Sequence, residues 1–336
     1  MAGTQAEYTK TEYFSARRQD FLTIEAQQVD AGVNNSNQFT SGNAQELALM
    51  SFFGRINYNY KGKYLLEINA RADGSSRFAP GKRWGVFPSG SLAWRPFQES
   101  FMPQVPWLSD LKIRGSFGVL GNQSIGDNYL YQSVLTSSTI TGSAWSSAPL
   151  YAFDKTSPTQ GFAASKLLDP SLSWETTYST NLGIDISLFR NRLNFNLDWY
   201  YKKTVDILVP DAKLPYSSGF STSVQALGSM RNKGLEATIS FKDKIRNFNY
   251  GVNLFVQGNR NMVLSYPSPG PWGKTIYAPG LPYGSYFLNI FDGIRQQPEV
   301  VKLGSGTAYT LPAGTMIIRD IHGPSSSSNY GIGVGG

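Results

Sequence analysis

The stretch Leu182-Gly183-Ile184-Asp185-Ile186-Ser187-Leu188-Phe189-Arg190-Asn191-Arg192-Leu193-Asn194-Phe195-Asn196-Leu197-Asp198-Trp199 decides how the chain is read. On both sides of Arg190-Asn191 the apolar residues fall at every second position, which is the side-chain period of a strand with one buried face. With Arg190 and Asn191 as a two-residue turn, Leu188 faces Leu193, Ile186 faces Phe195, Ile184 faces Leu197 and Leu182 faces Trp199. A slip of one residue would set apolar against polar along the whole hairpin. One face is wholly apolar and the other wholly polar. Such a sheet is either half-buried in a soluble protein or the wall of an outer-membrane barrel, with lipid outside and water inside.

The same alternation recurs at Tyr64-Leu66-Ile68-Ala70, Leu111-Ile113-Gly115-Phe117-Val119, Leu235-Ala237-Ile239-Phe241 and Phe248-Tyr250-Val252-Leu254, about ten strands in all. A three-residue Lys61-Gly62-Lys63 loop sets Tyr60 against Tyr64, Tyr58 against Leu66 and Ile56 against Ile68. A third hairpin with its turn near Lys244 aligns Phe241 with Phe248, Ile239 with Tyr250 and Ala237 with Val252. A short helical turn is expected only within 99–108, where prolines limit it.

Connections alternate in length. Short ones lie near Lys61, near Arg190 and near Lys244, with a moderate one over 98–109. Long ones cover 27–43, 73–85, 121–173, 204–231 and 259–286. Outer-membrane barrels treat their two rims in this unequal way, with short periplasmic turns and long extracellular loops. Trp199 lies seven residues beyond Arg192, about 23 Å along a strand and about 18 Å deep at a tilt of ~40°. With Tyr201 it fits an outer aromatic girdle, while Phe189 and Phe195 lie towards the turn.

Composition agrees. Charged residues are 16% against roughly 25% in an ordinary soluble domain, and aromatics reach 14%. No apolar run approaches the ~18 residues of a spanning helix. There is no cysteine, so neither disulfides nor thiolate metal sites arise. The charge of +7 is scattered and gathers at tight turns, so no nucleic-acid partner is expected. Met1 is followed by polar residues without an apolar leader, and the chain is therefore expected to be a fragment or an interrupted frame.

The segments Phe-Gly-Arg-Ile-Asn-Tyr-Asn-Tyr (53–60), Arg-Ala-Asp-Gly-Ser-Ser-Arg-Phe (71–78) and Trp-Gly-Val-Phe-Pro-Ser-Gly-Ser-Leu-Ala-Trp-Arg (84–95) add a further signal. They are followed by Leu-Lys-Ile-Arg-Gly-Ser-Phe-Gly-Val-Leu-Gly-Asn-Gln (111–123), Trp-Glu-Thr-Thr (174–177), Gly-Ile-Asp-Ile (183–186) and Arg-Asn-Lys-Gly-Leu-Glu (231–236). In this order they resemble the distal barrel half of SusC/RagA-type TonB-linked outer-membrane transporters, over roughly residues 10–320. The resemblance implies an all-β, antiparallel up-and-down barrel, present here as an open partial wall, in the outer membrane of a Gram-negative bacterium. It implies energised uptake of oligosaccharides or peptides, with a SusD-like surface lipoprotein as lid. It further implies a plug and TonB box contacting the TonB complex, all outside this sequence. Lipid and lipopolysaccharide would surround the wall. The expected domains are a partial barrel over 1–320 and a divergent Ser/Gly-rich tail over 321–336, where an acidic loop usual in the family is missing.

Enzyme chemistry is not expected. His322 is the single histidine and lies in the tail, which leaves no base for a triad. Asp73-Gly74-Ser75-Ser76 reads as a turn, and Asp185, Asp198 and Glu236 read as a solvated polar wall. No metal or cofactor is expected. Substrate contact is expected from loop aromatics that can stack on sugar rings or peptide groups, namely Trp145, Trp272, Tyr277 and Tyr283. Two rival readings carry structural tests. A passive porin-like pore needs the strand near Arg17 to pair with the last strand. A secreted all-β carbohydrate-binding protein needs its apolar faces packed together in a dry core.

Overall fold

The computed structural model describes residues 1–18, 39–103, 105–124, 171–213, 222–267, 270–272, 274–302 and 308–318, with isolated positions and short strands between them. The chain forms two compact units. The larger, residues 1–269 with 278–283, is built on one nine-stranded antiparallel sheet. Its strands are β1 (Ala2–Arg17), β2 (Phe39–Tyr60), β3 (Tyr64–Ser75), β4 (Trp84–Trp94), β5 (Leu108–Asn122), β6 (Glu175–Leu188), β7 (Leu193–Lys213), β8 (Thr222–Ile245) and β9 (Phe248–Ser265). Spatial order follows chain order from β1 to β9. Each strand thus pairs with its neighbours in sequence, the up-and-down arrangement that tight turns and alternation favour.

The opening hairpin forms as its sequence dictates. Leu188 pairs with Leu193, Ile186 with Phe195, Ile184 with Leu197 and Leu182 with Trp199. Arg190 and Asn191 both take positive φ (58° and 63°), and the Arg192 N–H donates to the Phe189 carbonyl at 3.3 Å. Positive φ at both central residues is the type I′ geometry whose twist matches paired strands. The Lys61-Gly62-Lys63 connection works alike: φ is 53° and 68° at its first two residues, and Tyr60, Tyr58 and Ile56 meet Tyr64, Leu66 and Ile68.

The third hairpin differs from its expected register. Phe241 pairs with Val252, Ile239 with Leu254 and Ala237 with Val256, because the turn is at Arg246-Asn247 and Ile245 meets Phe248. The tighter turn extends both strands through Asp243 and Tyr250. The shift is an even number of residues, so the two faces keep their phase. The long connections are also shorter than expected. β7 and β8 stay paired as far as Lys213 and Thr222, and β9 continues to Ser265, so much of 204–231 and 259–265 is strand. The helical turn is 3₁₀ and lies at Pro96–Gln98, just ahead of the expected segment. Proline's fixed φ suits a first helical position.

β1 and β9 are the two ends of the sheet and do not pair with each other, so the closure needed by a small pore is not formed. Nor is there a dry core between apolar faces. Buried apolar side chains among the described residues are few, and Ile56, Leu92, Leu235, Leu254 and Val256 are all exposed. The smaller unit, residues 270–277 with 284–336, carries short antiparallel pairs: Phe291–Ile294 with Met316–Ile318, and Glu299–Lys302 with Ala308–Leu311. The tail 321–336 and His322 lie outside the described residues.

At the short-turn rim, Glu99 gathers the ends of β3 and β4. Its carboxylate accepts from Lys63 Nζ at 2.7 Å, from the Tyr64 hydroxyl at 2.7 Å and from Trp94 Nε1 at 3.3 Å. The Lys63 contact first, then Tyr64, holds the Glu99 carboxyl at about 2, below its ordinary 4.5. A depressed folded-state pKa adds stability that is complete above the ordinary value and disappears as pH falls towards the folded one. The urea midpoint difference between wild type and Glu99→Gln should therefore be constant above about pH 5 and shrink towards zero near pH 2. At the β6–β7 turn, Asn191→Gly should leave the midpoint nearly unchanged. Asn191→Val should lower stability by about 1–2 kcal/mol, because a β-branched residue is strained at positive φ.

Candidate functional site

The two faces of the nine-stranded sheet do different work. On the outward face, aromatic residues lie in two belts. Near the short turns Tyr60 and Tyr64 rings lie 6.4 Å apart, and Phe248 stacks on Tyr250 at 6.1 Å. At the other rim Phe52 stacks on Trp84 at 5.9 Å, and Trp199 stacks on Tyr201 at 6.5 Å. Trp84 is the cross-strand partner of Gly74, ten residues beyond Tyr64 on β3. At ~3.3 Å per residue and ~40° of tilt, that sets the belts about 25 Å apart, the height of a barrel's apolar band. The residues between them, such as Ile56, Leu66, Ile68, Leu92 and Ile113, are exposed to their surroundings.

The opposite face is polar, and over β2, β3 and β5 to β7 many of its charges are paired within it. Arg114 bridges three strands: its Nη2 reaches Asp198 at 2.6 Å and its Nε reaches Asp185 at 3.2 Å. Asp185 also takes Lys112 Nζ at 2.8 Å and Asn196 Nδ2 at 2.8 Å. On β2 and β3, Arg55 pairs with Glu67, and Arg71 pairs with Asp73 at 2.7 Å while donating to Ser51 at 2.9 Å. The cross-strand neighbours Lys112 and Asp185 show why. With polar residues at every second position, in-register pairing places opposite charges side by side. A hollow of about 570 Å³ runs along this face, lined by Glu67, Asn69, Arg71, Ser116, Ser179 and Asn181. Its donors and acceptors suit a neutral, hydroxyl- or amide-rich guest, since the charges are already matched. Among the described residues no three His, Cys, Asp or Glu side chains come together to hold a metal ion.

The sequence motifs meet at one place that sequence reasoning missed. Phe78 and Phe87 each pack on Trp174 with ring centroids 5.3 Å away, one tilted and one edge-on. Phe78 and Trp174 are buried, and Trp174 Nε1 donates to the Arg83 carbonyl at 2.9 Å. Gly85 and Gly121 lie against the Phe87 ring, where any Cβ would collide with it. The Asp73-to-Ser76 stretch, expected as a turn, is strand as far as Ser75, because Asp73 and Gly74 pair with Ser51 and Met50 of β2 and with Gly85 and Trp84 of β4; the turn begins at Ser76, whose Oγ accepts from the Ala48 N–H at 2.9 Å, and Arg77 Nη1 reaches the Gln123 carbonyl at 2.8 Å. Motifs 71–78, 84–95, 111–123 and 174–177 are thus one clamp, which fixes the connection 76–83. The available signal was the aromatic residue in three of them.

Three of the four expected substrate aromatics lie among the described residues. Trp145 lies outside the described residues. Trp272 ends a short strand, Gly270–Trp272, and Tyr277 ends its partner, Thr275–Tyr277, both in the smaller unit. Tyr283 belongs to the larger unit, is half exposed, and its N–H donates to Asn261 Oδ1 at 2.9 Å.

Comparison with known proteins supplies the family. The family model for TonB dependent receptor-like β-barrels matches residues 2–310. TonB-dependent receptor P39 of Formosa agariphila is 37% identical over 290 residues, which is 81% of this chain and 26% of that protein. TonB-dependent receptor SusC of Bacteroides thetaiotaomicron is 33% identical over 224 residues, or 64% of this chain and 21% of that one. The chain thus spans about a quarter of the curated relatives it matches. Among solved structures, the RagAB peptide transporter superposes with a TM-score of 0.73 at 25% identity, covering 94% of this chain and 34% of that one. The RagAB peptide importer in its open-open state gives 0.75 at 24% identity, with 94% and 35% covered, a likeness of fold.

Trp174→Ala should cost about 3–5 kcal/mol in urea unfolding, the usual loss for a buried tryptophan. It should also open 76–83 to trypsin at Arg77, Lys82 and Arg83. Trp174→Phe keeps the ring packing and loses the bond to Arg83, so about 1 kcal/mol is expected with little new cleavage.

Proposed function

This chain belongs to the TonB-dependent receptor family of β-barrels, and from that premise we propose that it is part of the wall of an outer-membrane nutrient importer. The observation that carries the reading is the division of one continuous sheet into an outward apolar face between two aromatic belts and an inward ion-paired face. Lipid contacts the first face and a water-filled lumen the second. The cargo is an oligosaccharide or a peptide. Peptides are supported by the likeness to the RagAB peptide transporter, and a polar guest of either kind suits the inner face. A SusD-like surface lipoprotein covers the long-loop rim, and the TonB complex drives release from the other side.

Trp145, Trp272, Tyr277 and Tyr283 supply stacking surfaces for cargo in this reading. Alanine at each should raise the half-saturating concentration for uptake in cells without lowering the amount of protein in the outer membrane. Unchanged uptake in all four would remove them from the site.

The barrel reading itself is tested by charge placement. Leu197→Arg puts a cation near the middle of the apolar band and should cost about 2–4 kcal/mol in unfolding from lipid bilayers. Asn196→Arg, one residue away on the polar face, should cost well under half as much. Equal costs for the two would show that the faces are not lipid and water. Deletion of the gene should abolish growth on the cargo as sole nutrient, whereas growth at the wild-type rate would argue against import.

A further inference from the structure

Among the described residues the buried polar and charged side chains are Ser51, Asp73, Ser75, Ser179 and Arg295. Four of them have partners. Ser51 and Asp73 accept from Arg71, Ser75 accepts from the Arg77 N–H, and Arg295 pairs with Glu299. Ser179 is only 8% exposed, and among the described residues its hydroxyl makes no hydrogen bond. A buried hydroxyl without a partner is costly, and such groups are normally satisfied from somewhere. Ser179 belongs to the inner face and lines the hollow of about 570 Å³.

The floor around it consists of small side chains in two cross-strand rows. One runs Ser89–Gly118–Ser179 and the other Ser91–Ser116–Asn181, over β4, β5 and β6. Gly118 keeps the first row low, because a Cβ there would come within 3.1 Å of the Ser89 Cβ. A second hollow of about 440 Å³ shares Ser91, Ser116 and Asn181 with the first, so the two form one trough. Each is in the size range of small-molecule sites. On β3, Glu67 beside Ser91 lies three residues above Tyr64, and Arg71 beside Phe87 lies seven above it, about 8 and 18 Å in depth. The trough is therefore on the wall between the two belts, away from either rim.

Its chemistry is hydroxyl and amide, with every charged residue of the lining paired. Glu67 has Arg55, Arg71 has Asp73, and Lys112 and Arg114 share Asp185. Lys202, opposite Ser179 on β7, lies over the Tyr200 ring at 5.4 Å and is not part of the lining. The floor strands have neighbours on both sides, so no backbone edge is open to a peptide binding by strand addition. At the outer end Phe87 and the exposed Leu120 supply an apolar patch for the C–H face of a ring. Neutral hydroxyls with an apolar face describe a sugar.

We propose that Ser89, Ser91, Ser116, Ser179 and Asn181 form a transit site for an uncharged oligosaccharide on the inner wall. The inference rests on the import reading above and selects between its two cargo classes. The Ser179 hydroxyl bonds to one sugar hydroxyl, and Ser116 and Asn181 bond to the next along the trough.

The test uses the receptor extracted from outer membranes in neutral detergent and titrated by calorimetry. The probes are linear hexamers of glucose, of mannose and of xylose, a hexamer of galacturonic acid, and an end-capped hexapeptide of Ser, Asn and Gly. At least one neutral hexamer should bind, with the galacturonate and the peptide at least about tenfold weaker. Ser179→Ala and Ser116→Ala should each weaken that binding about five- to tenfold, as loss of one hydrogen bond does. Thr238→Ala, on the polar face of β8 but outside the trough, should leave it unchanged. Ser179→Ala should also keep or raise the thermal unfolding midpoint, since it removes a buried hydroxyl that has no partner. Silence of all three neutral sugars, equal binding of the galacturonate or the peptide, or unchanged binding by either serine variant would overturn the site. So would an equal loss in Thr238→Ala, or a Ser179→Ala midpoint several degrees lower, which would mark the hydroxyl as structural. Failure of the import reading shows separately, as absence of the wild-type protein from the outer-membrane fraction or full growth of the deletion strain.

Discussion

Antiparallel pairing in which the side-chain period of one strand stays in step with the next is the constraint from which the other features follow. Because that period is two, each ladder has only two outcomes, apolar facing apolar or apolar facing polar. The junctions from β2 to β9 take the first, whereas β1 against β2 also sets Thr4 against Phe52, Glu7 against Leu49 and Thr9 against Leu47. The consequence is a wall with two chemistries. Leu182, Trp199 and Leu235 follow one another across strands on one side, while Arg114, Gly183, Asp198 and Glu236 do so on the other. The charge pairs of the polar face are a product of this phasing. Lys112 meets Asp185 because Ile113 meets Ile184 next to them.

How much could be read from residues alone depends on how local the determining interaction is. The hairpins at Arg190-Asn191 and Lys61-Gly62 were legible because turn chemistry and alternation sit within about twenty residues. The hairpin at Arg246-Asn247 shows the boundary of that logic. Alternation fixes the phase but not the even-numbered register, and a turn of Arg-Asn could be told from one nearer Lys244 only by the φ its residues adopt. Strand length was less legible. The sequence beyond Thr204 is mixed in character, yet β7 and β8 continue pairing through bulges to Lys213 and Thr222, because backbone hydrogen bonds do not require an apolar face.

Interactions distant in sequence were not legible at all. Trp174 contacts residues nearly a hundred positions earlier, and nothing in Trp-Glu-Thr-Thr says so. The same holds for Glu99, whose partners Lys63 and Tyr64 belong to a different turn. What the sequence did carry was the identity of the pieces: the motifs that signalled the family are largely those that make the aromatic clamp. They persist as recognisable strings because each supplies a shape that another must fit, the Phe87 ring over Gly85 and Gly121 being the tightest case. The expected substrate aromatics had no such support, and they fall in different units of the chain.

The clamp also bears on the order in which such a wall can be assembled. Three neighbouring pairs are joined by turns of two to four residues, 61–63, 189–192 and 246–247, whereas β5 and β6 are joined across residues 123–174, the longest connection in the sheet. Loop-closure entropy grows only with the logarithm of length, so bringing β6 to β5 costs about 2 kcal/mol more than closing the four-residue turn after β6. In kinetic terms the sheet is two zippers, β1 to β5 and β6 to β9, each able to close from its own tight turns, with a slower seam between them. Trp174 is the residue immediately before β6, and its ring seats on Phe78 and Phe87 of the first zipper. It is the button at that seam, where the far edge of one half of the wall is fastened to the other.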